Sequence, residues 1–215
     1  MCKFSKQQII SLFLWLAVLG TSHAQTELRD YQVLVNGKDS GSLSVKYSPE
    51  NAESARIEIR SRITCKVLFV KYTYEIHAVE FWTNRSLAAV ESIVDDNGSR
   101  TQLSLRTKNS VQLLRVNKTN WHSTACAATT TVVMLPDIES NSTVHLLDVD
   151  SGELLETTWK YQGFDTIDVS NKAVSCPHFK VAGGLSSDIW FDDQRRLVKQ
   201  TIRESGYEIT VQQIQ

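Results

Sequence analysis

Between Ala55 and Val67 the chain alternates without a break. Ala55, Ile57, Ile59, Ser61, Ile63, Cys65 and Val67 share one parity, and Arg56, Glu58, Arg60, Arg62, Thr64 and Lys66 share the other. A helix, at 3.6 residues per turn, would scatter the apolar set around its surface, whereas an extended chain puts every second side chain on one face. A register slip of one residue would move the whole apolar set into water, so the pattern specifies both a strand and its orientation. Such a strand needs partners, and the rest of the chain has to supply them.

The partners carry the same period. Tyr31, Val33 and Val35 alternate into Asn36-Gly37, a strong hairpin signal, and Leu43, Val45 and Tyr47 alternate on the way back. One longer pattern occurs twice. Trp82-Thr-Asn-Arg-Ser-Leu87 precedes an apolar run, Asp95-Asp96-Asn97-Gly98 and the alternating Thr101–Thr107. Trp190-Phe-Asp-Asp-Gln-Arg-Arg-Leu197 precedes a second run, Glu204-Ser205-Gly206 and Tyr207–Val211. Each copy predicts a three-stranded antiparallel meander. Further strands are predicted near 67–74, 111–116, 143–149, 153–161, 173–181 and 185–191, while 118–142 breaks the pattern and has room for a short helix. The predicted fold is all-β: a single, strongly curved antiparallel sheet of roughly ten or more strands forming a barrel or half-barrel, with at most a short helix near 120–135.

Residues 1–24 read as an export signal. Lys3 and Lys6 precede the apolar run Ile9–Gly20, and Ser22-His23-Ala24 offers small residues for cleavage before Gln25. Cys2 would leave with that segment. The expectation is one secreted or periplasmic β domain over 25–215, with no membrane span after cleavage. With 23 Lys+Arg against 24 Asp+Glu, and no basic stripe interleaved with aromatics, nucleic acid is not an expected partner. No phosphate-cradling Gly-rich loop, Gly-x-Ser-x-Gly elbow or His-Glu-x-x-His occurs, so no cofactor and no catalytic residue is assigned.

Three cysteines follow the signal. Cys126 and Cys176 lie in irregular or edge-like sequence; in an oxidising compartment they are candidates for a disulfide, closing a loop of about 50 residues worth roughly 4 kcal/mol, with free thiols as the alternative. A competing arrangement adds His122 and His178 to make a metal set or a hydrolase site, although the spacings match no standard zinc motif. Cys65 falls on the apolar parity and reads as a small buried hydrophobe. His77 shares a face with Thr73 and Glu75, and a solvated face explains it better than a general base. The paired acids 95–96 and 192–193 occupy turns, where aspartate bonds its own backbone. Trp82 and Trp190, at matching places in the two meanders, are candidates to line a ligand cavity or to anchor the core.

The opening YQVLVNGKDSG, the stretch Tyr72–Gly98, Ser151-Gly-Glu-Leu154 and Ile189-Trp-Phe-Asp192 resemble an uncharacterised family of secreted bacterial all-β proteins, a domain of unknown function. The resemblance spans nearly all of 25–215 and is weakest over 118–142. It implies a curved β-sheet similar in style to lipocalin-like and lipoprotein-carrier-like envelope proteins, and it implies no catalytic residues. Three functions are compatible with these features. The first is a non-catalytic periplasmic protein holding a lipid-like or other hydrophobic small molecule on the concave side of its sheet. The second is an envelope assembly module that contacts another protein and has a filled core. The third is a hydrolase or metal site near His122, Cys126 and His178.

Overall fold

The structure, a computed structural model, describes residues 25–67 and 70–215. The expected export segment lies outside the described residues. Fifteen strands follow in chain order: β1 (Glu27–Val35), β2 (Lys38–Pro49), β3 (Ser54–Val67), β4 (Val70–Thr83), β5 (Ser86–Asp96), β6 (Ser99–Lys108), β7 (Val111–Val116), β8 (His122–Thr124), β9 (Ala128–Thr129), β10 (Ser142–Leu147), β11 (Leu154–Val169), β12 (Lys172–Gly183), β13 (Ser187–Phe191), β14 (Leu197–Glu204) and β15 (Tyr207–Gln213). They form one sheet in the order β8-β7-β6-β5-β4-β3-β2-β1-β15-β14-β13-β12-β11-β10-β9. The pairing is antiparallel throughout except for the two-residue β9–β10 ladder, and the hydrogen-bonded order does not close, since β8 and β9 are its two edges.

Turn chemistry explains the meander. The two-residue turns Asn36-Gly37, Asn84-Arg85, Asn97-Gly98, Asn109-Ser110, Ser170-Asn171 and Ser205-Gly206 have positive φ at both positions. That is the geometry whose twist suits adjacent antiparallel strands, and Asn and Gly reach it most readily. The long alternating strand pairs as its pattern requires, with Ile57 and Ile59 fully buried on the core face and Arg60 and Arg62 in water.

No helix forms near 120–135, where the sequence left room for at most a short one; β8, β9 and a run of turns occupy the segment. A helix would satisfy its own N–H and C=O groups. Here they are used elsewhere: Ala127 N donates to His145 O, Thr130 N to Leu147 O and Leu135 N to Arg195 O, while Val133 O accepts from Leu197 N. These bonds tie the connector to β10, the β13–β14 turn and β14, all in the second half of the sheet order. Val132, Val133 and Leu135 enter the main apolar cluster beside Tyr31, Val45, Leu103, Leu146, Trp159 and Phe191. Two buried tyrosines continue the attachment, Tyr47 Oη donating to Val133 O and Tyr31 Oη to Leu197 O, each at 2.7 Å.

A buried ionic network lies beside them. Arg29 donates to Asp192 at 2.6 Å and to Glu27 at 2.5 Å, and Arg196 pairs with Glu27. Asp192 also accepts from the backbone N–H groups of Gln194 and Arg196, which fixes the β13–β14 turn. Burial works to raise the Glu27 carboxyl, but Arg29 and Arg196 hold it below its ordinary range.

A second, smaller cluster occupies the other face. The β11–β12 pairing shifts between Tyr161 and Gly163, and beyond that bulge Ile167, Val169, Val174 and Cys176 pack with Val198 and Trp190. Gln212 donates to Asp168 O and Ser170 to Ile214 O, tying the hairpin tip to the end of β15.

Two substitutions test this arrangement. At Gly41, where the β1–β2 register shifts, an added Cβ would lie 2.0 Å from the Arg62 carbonyl oxygen. Gly41→Ala is expected to destabilise by about 1–3 kcal/mol in denaturant titration. Asp192→Ala takes from buried Arg29 one of its two carboxylates and from the β13–β14 turn its N–H acceptor, and is expected to cost about 1–3 kcal/mol by the same measurement.

Candidate functional site

Where the two edges of the sheet face each other, an open cleft of about 1030 Å³ remains. Its walls are the β4–β5 and β6–β7 turns on one side and β10 with residues 136–139 on the other, with 124–127 between them. Leu87, Val111, Cys126, Ala127, Ile138 and Val144 give it an apolar lining, and Arg85, Asp137 and His145 stand among the polar groups around it. Gln112 ties the first wall to the segment between the walls: its Oε1 accepts from Cys126 N at 2.7 Å, and its Nε2 donates to Cys126 O and Leu87 O, each at 3.1 Å. One side-chain amide therefore supplies the donor and acceptor that a neighbouring strand would otherwise present.

Glu80 sits on the core face of β4, 1% exposed. Trp82 Nε1 donates to its Oε2 at 2.8 Å, while the Thr129 and Thr131 hydroxyls lie 2.5 and 3.0 Å from Oε1. Burial pushes this carboxyl above its ordinary range although the three contacts pull the other way. The Cys126 thiol is pushed up to about 12 by its own burial and by the nearby Glu80. It is a buried, protonated wall of the cleft, poorly suited to act as a nucleophile.

The residues singled out from sequence do not converge on a site. Cys126 and Cys176, the candidate disulfide pair, are free thiols in two different apolar clusters, Cys126 in the main one and Cys176 in the outer one. Cys65 is a third free cysteine. His122 is exposed on the edge strand β8, far along the sheet order from His178 on β12. Among the described residues no group of three or more His, Cys, Asp or Glu side chains is placed to hold a metal ion.

Trp82 and Trp190 part company as well. Trp82 is 2% exposed in the core, and Trp190 belongs to the outer cluster; neither lines the cleft. The cause is parity. In β13 it is Ile189 and Phe191 that face the core, so Trp190 must face away. There its ring stacks on His178 with centroids 4.4 Å apart, and its Nε1 donates to Asp165. His178 faces two carboxylates, Asp165 at Nδ1 (3.1 Å) and Asp188 at Nε2 (3.0 Å). The nearby Cys176 thiol is pushed up to about 11, chiefly by burial. This group joins the β11–β12 hairpin to β13 and presents no activated nucleophile.

Sequence reasoning passed over Glu80, Gln112, Thr129 and Thr131. For Glu80 a signal existed: it interrupts the apolar parity Ile76, Ala78, Trp82. Gln112 gave none, because its role depends on a contact between strands distant in sequence.

Peptide mapping of the unreduced protein is expected to find Cys126 and Cys176 as unlinked thiols. Under native conditions both should alkylate far more slowly than the half-buried Cys65, and a 126–176 disulfide would contradict the placement.

No curated protein matches the chain. Among solved structures, the crystal structure of a beta-barrel-like protein of domain of unknown function DUF1849 from Brucella abortus is similar in fold. Its TM-score is 0.63 at 6% identity, covering 88% of this chain and 96% of that one. At that identity the likeness concerns the fold alone. Residues 31–213 match the family described as "Domain of unknown function (DUF6134)", and the chain, all-β as that resemblance implied, belongs to that family.

Proposed function

We propose that this chain is an exported, non-catalytic binding protein whose sheet curls around a filled core, and that its ligand is a hydrophobic or amphipathic small molecule seated in the edge cleft. The observation that carries this reading is the coexistence of a packed interior with an apolar-lined cleft of about 1030 Å³, a volume at the upper end of small-molecule sites. The concave side, where the ligand was expected, is filled by Val132, Val133 and Leu135 from the connector and by large side chains such as Trp159 and Phe191. That displaces the seat from the middle of the sheet to the gap between its edges.

Curling is supported by the hydrogen bond that joins β4 to β9, strands at distant places in the sheet order. Export is supported by the composition of residues 1–24, and a non-catalytic role by the raised thiols and by the separation of His122, Cys126 and His178. The assembly-module alternative draws support from the filled core, but the sheet's edges are strands of only three and two residues, which offer little template for strand addition.

The test uses delipidated protein with palmitate and lysophosphatidylcholine as probes. One of them is expected to raise the unfolding temperature, by the equivalent of about 2.7 kcal/mol at one hundred times its Kd. Val111→Asp, which places a charge on the cleft wall, should abolish the shift. Val70→Asp, a charge at an exposed valine outside the cleft, should leave it intact. No shift with either probe, or equal loss in both variants, would overturn the assignment.

A further inference from the structure

Three side-chain oxygens on the core side of the cleft form a closed triangle. Thr129 Oγ1 lies 2.5 Å from Glu80 Oε1, Thr131 Oγ1 lies 3.0 Å from the same atom, and the two hydroxyls are 2.6 Å apart. Each edge is a hydrogen-bond distance, so three bonds need three protons. The threonines supply two. A proton on the carboxyl supplies the third, with Glu80 donating to Thr129, Thr129 to Thr131 and Thr131 back to Oε1, whereas an ionised Glu80 accepts from both threonines and leaves their 2.6 Å contact without a proton. Once Glu80 ionises, the Thr129–Thr131 edge becomes a contact between lone pairs, with Glu80 and Thr129 both buried.

The surroundings offer the ionised form neutral hydrogen-bond donors but no counter-charge. Opposite Glu80, β3 places Ile57 and β5 places Val90, both 0% exposed. From its own strand only the Trp82 indole reaches it, and from the connector side the groups near it are Thr129, Thr131 and the Cys126 thiol. Among the described residues Glu80 pairs with no Lys, Arg or His, although a buried carboxylate would ordinarily need such a partner.

We propose that Glu80, Thr129 and Thr131 form a proton-linked clasp that, while Glu80 is protonated, holds the connector against β4 and keeps the cleft wall in place, and that loosens when Glu80 ionises. The cleft enters through its wall: Cys126 and Ala127, which line it, lead directly into Ala128–Thr129. As a control of the cleft this inference rests on the binding role above; as a property of the fold it stands apart from it.

The sign follows from the proton count. The folded state holds the proton more tightly than the unfolded chain. The clasp's contribution is therefore complete at pH below the ordinary glutamate range and is lost as pH rises through the folded-state value. Glu80→Gln removes the titration while keeping shape, and Thr129→Val breaks the triangle at every pH.

Amide hydrogen exchange over residues 126–133 is compared among wild type, Glu80→Gln and Thr129→Val at about pH 5 and about pH 8, the intrinsic pH effect on exchange cancelling between variants. Relative to Glu80→Gln, wild-type exchange should rise several-fold between the two pH values, by up to about tenfold per pH unit over the range where the opened segment leaves Glu80 ionised and the closed one keeps it protonated, and level off above it. Thr129→Val should exchange fast at both. A wild-type to Glu80→Gln ratio that does not change with pH would overturn the proposal. So would full protection in Thr129→Val. Neither readout needs a ligand, so failure of ligand binding and failure of the clasp are separable results.

Discussion

The backbone between Cys126 and Leu135 bonds chiefly to other parts of the sheet: to Gln112 on β7, to His145 and Leu147 on β10, and to residues beside or within β14. Most of the architecture depends on this choice. Were the segment a helix satisfying its own groups, Gln112 would lose its partner, Tyr47 its acceptor, and the apolar interior would lose Val132, Val133 and Leu135. Instead the connector completes the core and bridges strands from the two halves of a sheet whose edges never pair.

That bridging is built from polar groups in a dry setting, and each is nearly saturated. Among the described residues only Ser92 Oγ and Gln200 Nε2 are buried without a partner, in keeping with the cost of leaving such groups unmet. The contrast between Arg29 and Glu80 is instructive. Both are buried; Arg29 has two carboxylates against its guanidinium, and Glu80 has only neutral donors. Burial with counter-charges keeps an ionic pair charged, whereas burial among hydroxyls favours the neutral acid.

Much of the fold was legible in the sequence because its elements are local. The alternation at 55–67, the Asn-Gly turns at 36–37 and 97–98 and the two meanders are each specified by neighbouring residues, and the structure contains them. The extension of β11 through Gln162 was not legible, since its outer apolar parity begins only after a bulge. The connector was also missed, because its strands are two and three residues long and its bonds go to residues distant in sequence. The doubled tryptophan misled for a related reason: Phe191, one place after Trp190, takes the core position, so matching motifs face opposite sides. Of the site, Glu80 alone could have been noticed, as an acid on an apolar parity. The cleft arises from the meeting of four separate segments and has no local signature.

The central claim is that the interior is solid and that the space a ligand can use lies between the sheet's edges. Photo-crosslinking with a diazirine-bearing fatty acid, followed by peptide mapping, tests it most directly. The account expects adducts on the 85–88, 111–112, 126–127 and 138–144 segments. Adducts on core positions such as Ile59, Leu103 or Trp159, with the cleft segments unlabelled, would contradict it.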